Sequence, residues 1–322
     1  MSFQRFQEGD LVISSEKVVQ PAWTGGVTSL TGFYTSSLQS TNPYYLDVYN
    51  ANPNSSVEAE VQFSIAYGNK LGSGSIPYNS AVVGKSPSAT IYGQCRALLL
   101  ESEEVDFTFG DFTSDRGVYI ISVARGRFKE RLKPESFVLS LEKSGDGNSL
   151  VLYPSTTPES STATDVGEVY SLINPMASEA GRSQYGKLYP NLGIILLSVE
   201  ALEAGVTPVI NLGTFANTSN TTYRNVFLNT LKTFSLQSEE TITSNFIFTR
   251  VKNGEFNYSM NPTLTTSTGE IRELDLVDMP RTYITTVGLY NDSNELLAVA
   301  KLSTPLQKDF TKEALLRVKL DY

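Results

Sequence analysis

The sequence contains no histidine and a single cysteine, Cys95. Without imidazole, the Ser-His-Asp and Cys-His nucleophile systems are excluded, together with the ordinary zinc, non-haem iron and copper sites. One cysteine cannot close a disulfide within the chain, so the fold depends on no oxidising compartment. Long apolar runs are also missing. LGIILL at 192–197 is far too short to span a bilayer as a helix. The first residues, MSFQRFQEGD, lack the apolar stretch of a signal peptide, so the sequence reads as made in the cytoplasm and soluble.

Charge is sparse as well, at 18% of 322 residues, and it is unbalanced, with a net −9. An acidic chain repels phosphate backbones and anionic lipid, so neither nucleic acid nor a membrane is an expected partner. Ser, Thr, Asn, Gly and 17 Tyr fill the composition instead. That mixture suits strands joined by polar turns.

The expected fold class is α+β: mainly antiparallel β hairpins and sheets with a few short helices. VEAEVQFSIAY at 57–67 alternates apolar and polar residues and reads as a half-buried strand. Ser86-Pro87 opens a helix to about Leu100, with Ser86 as cap and Ile91, Cys95, Leu98 and Leu99 on one face. Cys95 is then most simply a small core residue. A strand follows at Val118–Val123, then a short basic helix, ARGRFKERL, and a hairpin from Phe137–Leu141 and Leu150–Tyr153 across KSGDGN. LGIILL reads as a buried strand and VEALEAG as a short helix closed by Gly205. A helix over Thr222–Phe234, capped by Asn220 or Thr221, carries Tyr223, Val226, Phe227, Thr230, Leu231 and Phe234 along one stripe.

Asn253-Gly254 between apolar runs predicts a hairpin. So does YNDSNE at 290–295, whose flanking strands are apolar on both faces and therefore expected inside a sheet or beneath helices. LLRVKLDY places Leu316, Val318, Leu320 and Tyr322 on one face of a last strand. The implied organisation is an extended arm over 1–43, an α+β domain over 44–154, a flexible loop or linker over 155–183, and a second α+β domain over 184–322. For the arm, ordering against a neighbouring molecule and wrapping on its own domain both remain open.

Motifs for chemistry are weak. NSAVVGKS at 79–86 ends like a phosphate-binding loop, but Asn79 replaces its first glycine and Pro87 removes an amide at the helix start. A helix cap is the better reading. Glu101, Glu103, Glu104, Asp106 and Asp111 could supply a carboxylate pair for glycoside hydrolysis or oxygen ligands for calcium. They lack the calcium-loop spacing and read more simply as a solvated face. Arg125, Arg127, Lys129, Arg131 and Lys133 form a basic cluster suited to pairing with acidic patches on a neighbouring subunit. In YNDSNE the Asn, Asp and Ser are what a turn needs for side-chain to backbone bonds. No catalytic, cofactor-binding or metal residue is expected.

Four stretches carry a resemblance that covers most of the chain: RFQEGDLVISSEKVVQPAWTGG at Arg5–Gly26, NPYYLDVYN at Asn42–Asn50, LYPNLGIILL at Leu188–Leu197, and the 282–305 hairpin with its sequel KDFTKEALLRVKLDY. These resemble virion structural proteins of large contractile-tailed bacteriophages of the cyanophage type. The resemblance implies a non-enzymatic subunit of the tail, with the baseplate as its place. A neck (head-tail connector) position and a receptor- or glycan-binding tail module are the alternatives. It implies multiple copies in a symmetric assembly, with other virion structural proteins as partners. Such a subunit must stay soluble before it is covered, which net negative charge favours. Phe3, Phe6 and Trp23, large anchors in an otherwise polar segment, are the expected interface residues.

Overall fold

The computed structural model describes residues 5–36, 44–74, 86–100, 104–115, 117–142, 149–159, 166–175, 184–204, 220–258 and 262–321. In chain order the strands are β1 Leu11–Pro21, β2 Ser29–Leu30, β3 Leu46–Tyr49, β4 Val61–Gly68, β5 Val118–Val123, β6 Arg131–Leu132, β7 Val138–Glu142, β8 Ser149–Pro154, β9 Tyr170–Ile173, β10 Gln184–Tyr189, β11 Ile194–Ser198, β12 Leu231–Ser235, β13 Gln237–Val251, β14 Thr282–Tyr290, β15 Leu296–Lys308 and β16 Ala314–Asp321. The helices are α1 Pro87–Leu100, α2 Val199–Ala204, α3 Asn220–Thr230 and α4 Asp275–Asp278. The fold is mainly antiparallel β with a few short helices, as expected.

Two compact units divide the chain: residues 17–240, and residues 1–16 with 241–322. The division falls inside β1 and inside β13, so the segments on either side of 155–183 share the larger unit. That expected linker carries β9, which is paired on both edges.

The larger unit is built on one curled ten-stranded sheet, in the order β2-β12-β7-β8-β9-β10-β11-β5-β4-β3. Its strands alternate or bury both faces as their sequences require. In the β7–β8 hairpin, Leu139 sits opposite Leu152 and Leu141 opposite Leu150, all four buried. In β11, Ile195, Leu196 and Leu197 are buried in succession because α2 packs against β10 and β11. α1 begins where expected: Ser86 Oγ accepts from the Ala89 amide at 3.3 Å. It lies against β4 at Gly68, where a Cβ would stand 3.1 Å from the Tyr92 backbone. Tyr92, Cys95 and Leu99 form its inner face, while Leu98 points outward. α3 is held to the sheet by Asn220 Nδ2 donating to Tyr67 O at 2.9 Å and by Tyr119 stacking on Phe227 at 4.4 Å.

Four sequence expectations give way here. The strand read from Val57 starts at Val61, and Val57 is fully exposed. The turn chemistry of the preceding stretch, with Asn52 accepting from the Asn54, Ser55 and Ser56 amides, holds the chain away from a partner strand. ARGRFKERL is no helix. Arg125–Arg127 make one 3₁₀ turn, and Lys133, before Pro134, is extended at φ −80° and ψ 111°. The helix read to Phe234 stops at Thr230. Leu231 and Phe234 fit its stripe by spacing, but they belong to β12, where Phe234 pairs with both Leu139 and Leu30.

The fourth concerns Asn253-Gly254. β13 pairs with the distant β16, Ser244–Val251 against Ala314–Asp321, so no hairpin forms at this turn. Asn253 instead offers its carbonyl to Asn257 Nδ2 at 2.6 Å and to Lys308 Nζ at 2.8 Å. KSGDGN, Gly205 and Tyr322 lie outside the described residues.

Candidate interaction surface

The smaller unit holds little core. Among its described residues only Ile247, Val251, Leu289, Leu316 and Val318 are buried apolar side chains. Ile247, Leu289 and Val318 touch, with Val287, Ala298, Ala300 and Leu320 packed around them. The β14–β15 hairpin supplies four of those seven residues, with Val287 opposite Ala300 and Leu289 opposite Ala298. Its other face is open. Tyr283, Leu296, Leu297 and Val299 are exposed, Leu297 at 69%. The expectation that this apolar pair sits inside a sheet is therefore corrected: it is a two-stranded sheet of its own. Gly288 makes room on the open face, since a Cβ there would lie 2.9 Å from the Tyr290 ring.

Both ends of the hairpin are pinned by polar bonds. At the tip, Asn291 Nδ2 donates to Glu295 Oε2 at 2.7 Å and the Glu295 amide donates to Asn291 Oδ1 at 2.8 Å. Asn294 takes φ 61°, a conformation asparagine tolerates. YNDSNE is thus a structural turn, as its residue types indicated. At the base, the buried Lys308 ammonium donates to Asn253 O, Asn257 Oδ1 and Asp309 O at 2.8, 2.8 and 2.9 Å. Buried charge is costly unless hydrogen-bonded, and three oxygens match the three donors of lysine.

Between β13 and β14 the chain makes a short bridge from Thr265 to Ile271 and then α4. Ile271 and Leu276 line a shallow cleft of about 30 Å³ shared with Tyr258, Leu264, Pro280 and Thr282. Leu274, Val277 and Met279 point away from it and are exposed, Leu274 at 80%.

The expected interface residues fall apart as a group. Phe3 lies outside the described residues. Phe6 is 55% exposed and free to meet a partner. Trp23 is only 2% exposed, and its indole N–H donates to Phe234 O at 2.9 Å. Its ring packs on Phe63 and Phe234, at 6.0 and 4.9 Å between centroids. Trp23 is a core residue of its own chain, and residues 11–34 are wrapped on their own fold rather than forming a free arm.

Most of the basic cluster makes contacts within the chain. Arg127 pairs with Glu60 at 2.8 Å, Lys129 with Glu240 at 2.7 Å, and Arg131 with Glu168 and Glu239 at 2.9 and 3.0 Å. Arg125 donates to Phe128 O and lies 4.4 Å over its ring. Four of the five basic side chains thus have partners within the chain. Bonds from Tyr170 and Arg131 hold the Glu168 carboxyl below its ordinary pKa against the opposing effect of burial.

Of the acidic run, Glu101 and Glu103 lie outside the described residues. Burial pushes Asp106 up, but hydrogen bonds from Lys70, Tyr92 and Arg96 outweigh it and leave the carboxyl lowered. An acid held ionised suits a structural ion pair better than general-acid work. Gly84 and Lys85 of the phosphate-loop stretch are not described either, and Ser86 serves as the cap. Burial raises the Cys95 thiol to about 12. Among the described residues, no three His, Cys, Asp or Glu side chains gather as a metal-ligand group, and no helix is long and apolar enough to cross a membrane.

What the sequence reading missed is the outer face of β13 and β16. Phe246 sits opposite Lys319, Phe248 opposite Arg317 and Arg250 opposite Leu315. The cations of Arg317 and Lys319 lie 5.5 and 5.9 Å from the Phe246 ring centre. Alternation in LLRVKLDY placed Arg317 and Lys319 outward, yet nothing local names the strand beside it. No protein-family model, curated protein or solved structure matches the chain.

Proposed function

We propose that the protein is a non-enzymatic structural subunit of a contractile-tailed phage virion, placed in the tail baseplate, and that it works by covering its surface with neighbouring subunits. The observation that carries the assembly part is the imbalance of the smaller unit. Five apolar side chains are buried there, while Phe6, Leu11, Ile13, Leu274, Met279, Tyr283, Leu297, Phe310 and Leu315 are among those exposed. Isolated exposed apolar side chains are ordinary, but a concentration of them marks a surface that binds. A two-stranded hairpin is marginal in water by itself and gains from a third layer. The virion part rests on the resemblance of the four sequence stretches.

The test is to image intact phage particles carrying an antibody label or tag on this protein. Label at the baseplate supports the reading, and label at the neck keeps the structural role but moves its place. Label on the capsid shell, or on no particle, overturns it.

A further inference from the structure

The outer face of β13 and β16 carries charge of the sign this chain has least of. Arg250, Arg317 and Lys319 are exposed around Phe246, Phe248 and the exposed Leu315. Asp321, 3.0 Å from Lys319, and Asp10, whose carbonyl accepts from the Phe248 amide at 2.8 Å, are carboxylate residues at its two edges. On a molecule of net −9, such a face attracts an acidic partner and disfavours a basic one. Aromatic rings under guanidinium and ammonium groups also offer apolar area once water is expelled.

The smaller unit presents a segment of the opposite kind. Over residues 270–279, Glu270, Glu273 and Asp278 are exposed beside Leu274, Val277 and Met279. Arg272, the one cation in that stretch, turns its guanidinium back onto Thr265 O at 3.1 Å. The segment is therefore acidic and apolar on its outer side, and its inner side is anchored by Ile271 and Leu276 at the cleft.

We propose that the β13–β16 outer face is a docking site for the 270–279 segment of a second copy of the chain. The inference rests on the assembly reading and names its partner. Each copy offers both halves, so two copies can exchange them about a two-fold axis or copies can add head-to-tail into a ring or filament. Apolar side chains supply the attraction; the charges fix which surfaces meet and make association sensitive to salt.

Sedimentation of the full-length purified protein over a concentration series tests this. Association should appear at low ionic strength and weaken with added salt. The double variants Arg317→Glu/Lys319→Glu and Glu273→Lys/Asp278→Lys should each associate more than about tenfold less tightly than the unaltered chain. Mixed in equal amounts, they should associate again, because each reversed surface then meets its complement. Circular dichroism of each variant confirms that it is folded. A protein that stays monomeric throughout, association indifferent to salt and to both variants, or folded variants that do not recover on mixing would overturn the proposal. Because no particle is involved, failure here leaves the virion assignment to its own labelling test.

Discussion

Trp23 and Phe6 were indistinguishable as sequence: each is a large ring in a polar stretch. Their surroundings now separate their consequences. Trp23→Ala removes a ring packed between Phe63 and Phe234 and leaves a cavity, which costs about 3–5 kcal/mol in stability. Phe6→Ala removes a side chain that is mostly in water, and the cost to the isolated chain should stay within about 0.5 kcal/mol. Urea unfolding of both variants checks the difference, and comparable losses would place Phe6 in the core as well. Cys95 allows a second test at this scale. The nucleophile is the thiolate, and a buried thiol raised to about 12 holds almost none of it near neutral pH. The native protein should therefore leave its single cysteine unlabelled by iodoacetamide, with full labelling in denaturant. Rapid native labelling would show that the inner face of α1 is not packed against the sheet.

At the scale of elements, the tip of the β14–β15 hairpin makes a prediction from its turn chemistry. Asn291→Ala deletes both bonds to Glu295 and should lower the protection of the β14 and β15 amides by about 1 kcal/mol in hydrogen exchange. Asn294→Gly should be neutral, since glycine also takes positive φ, whereas Asn294→Val should destabilise the hairpin. Equal effects from all three would mean the tip is not set by these residues.

Elements with a strong local signature were legible in the sequence: the Ser86 cap, the alternation of β16, the β7–β8 hairpin, the buried run of β11 and the YNDSNE turn. The elements that misled had local patterns overridden by distant partners. Leu231 and Phe234 keep helical spacing with Tyr223 and Phe227, yet β7 and Trp23 claim them. Asn253-Gly254 is a sound turn whose flank, β13, is claimed by β16 across more than sixty residues. The basic–aromatic face follows from that same pairing, so its members could be read singly but not brought together. Trp23 was misassigned because a terminal segment poor in apolar residues was not expected to deliver its largest ring to another segment's core.

For the whole molecule, the absence of histidine fixes the shape of the pH response. Nothing with an ordinary pKa between about 5 and 7 is present in the chain, so stability should be flat there. The limits lie outside. Asp106, Glu168, Asp309 and Asp321 all have lowered folded pKa values. The unfolded chain binds those protons more readily, so their stabilising contribution is complete above about pH 5 and is lost as pH falls through the folded values. Tyr92, Tyr119, Tyr170 and Tyr185 are raised, chiefly by burial, with Tyr170 at about 12. Unfolded tyrosine ionises near about 10, so their contribution is complete below that pH and is lost as pH rises through the folded values. Arg224 opposes this weakly. Burial lowers it to about 10, so release of its proton above that pH favours the folded state. With several buried phenols against one guanidinium, the alkaline limb should still fall. Tyrosinate absorbance and circular dichroism followed together should therefore show a steep rise in ionisation of the buried phenols that coincides with loss of structure. A single smooth ionisation curve, with structure intact, would mean that the tyrosines of the ten-stranded sheet are open to water.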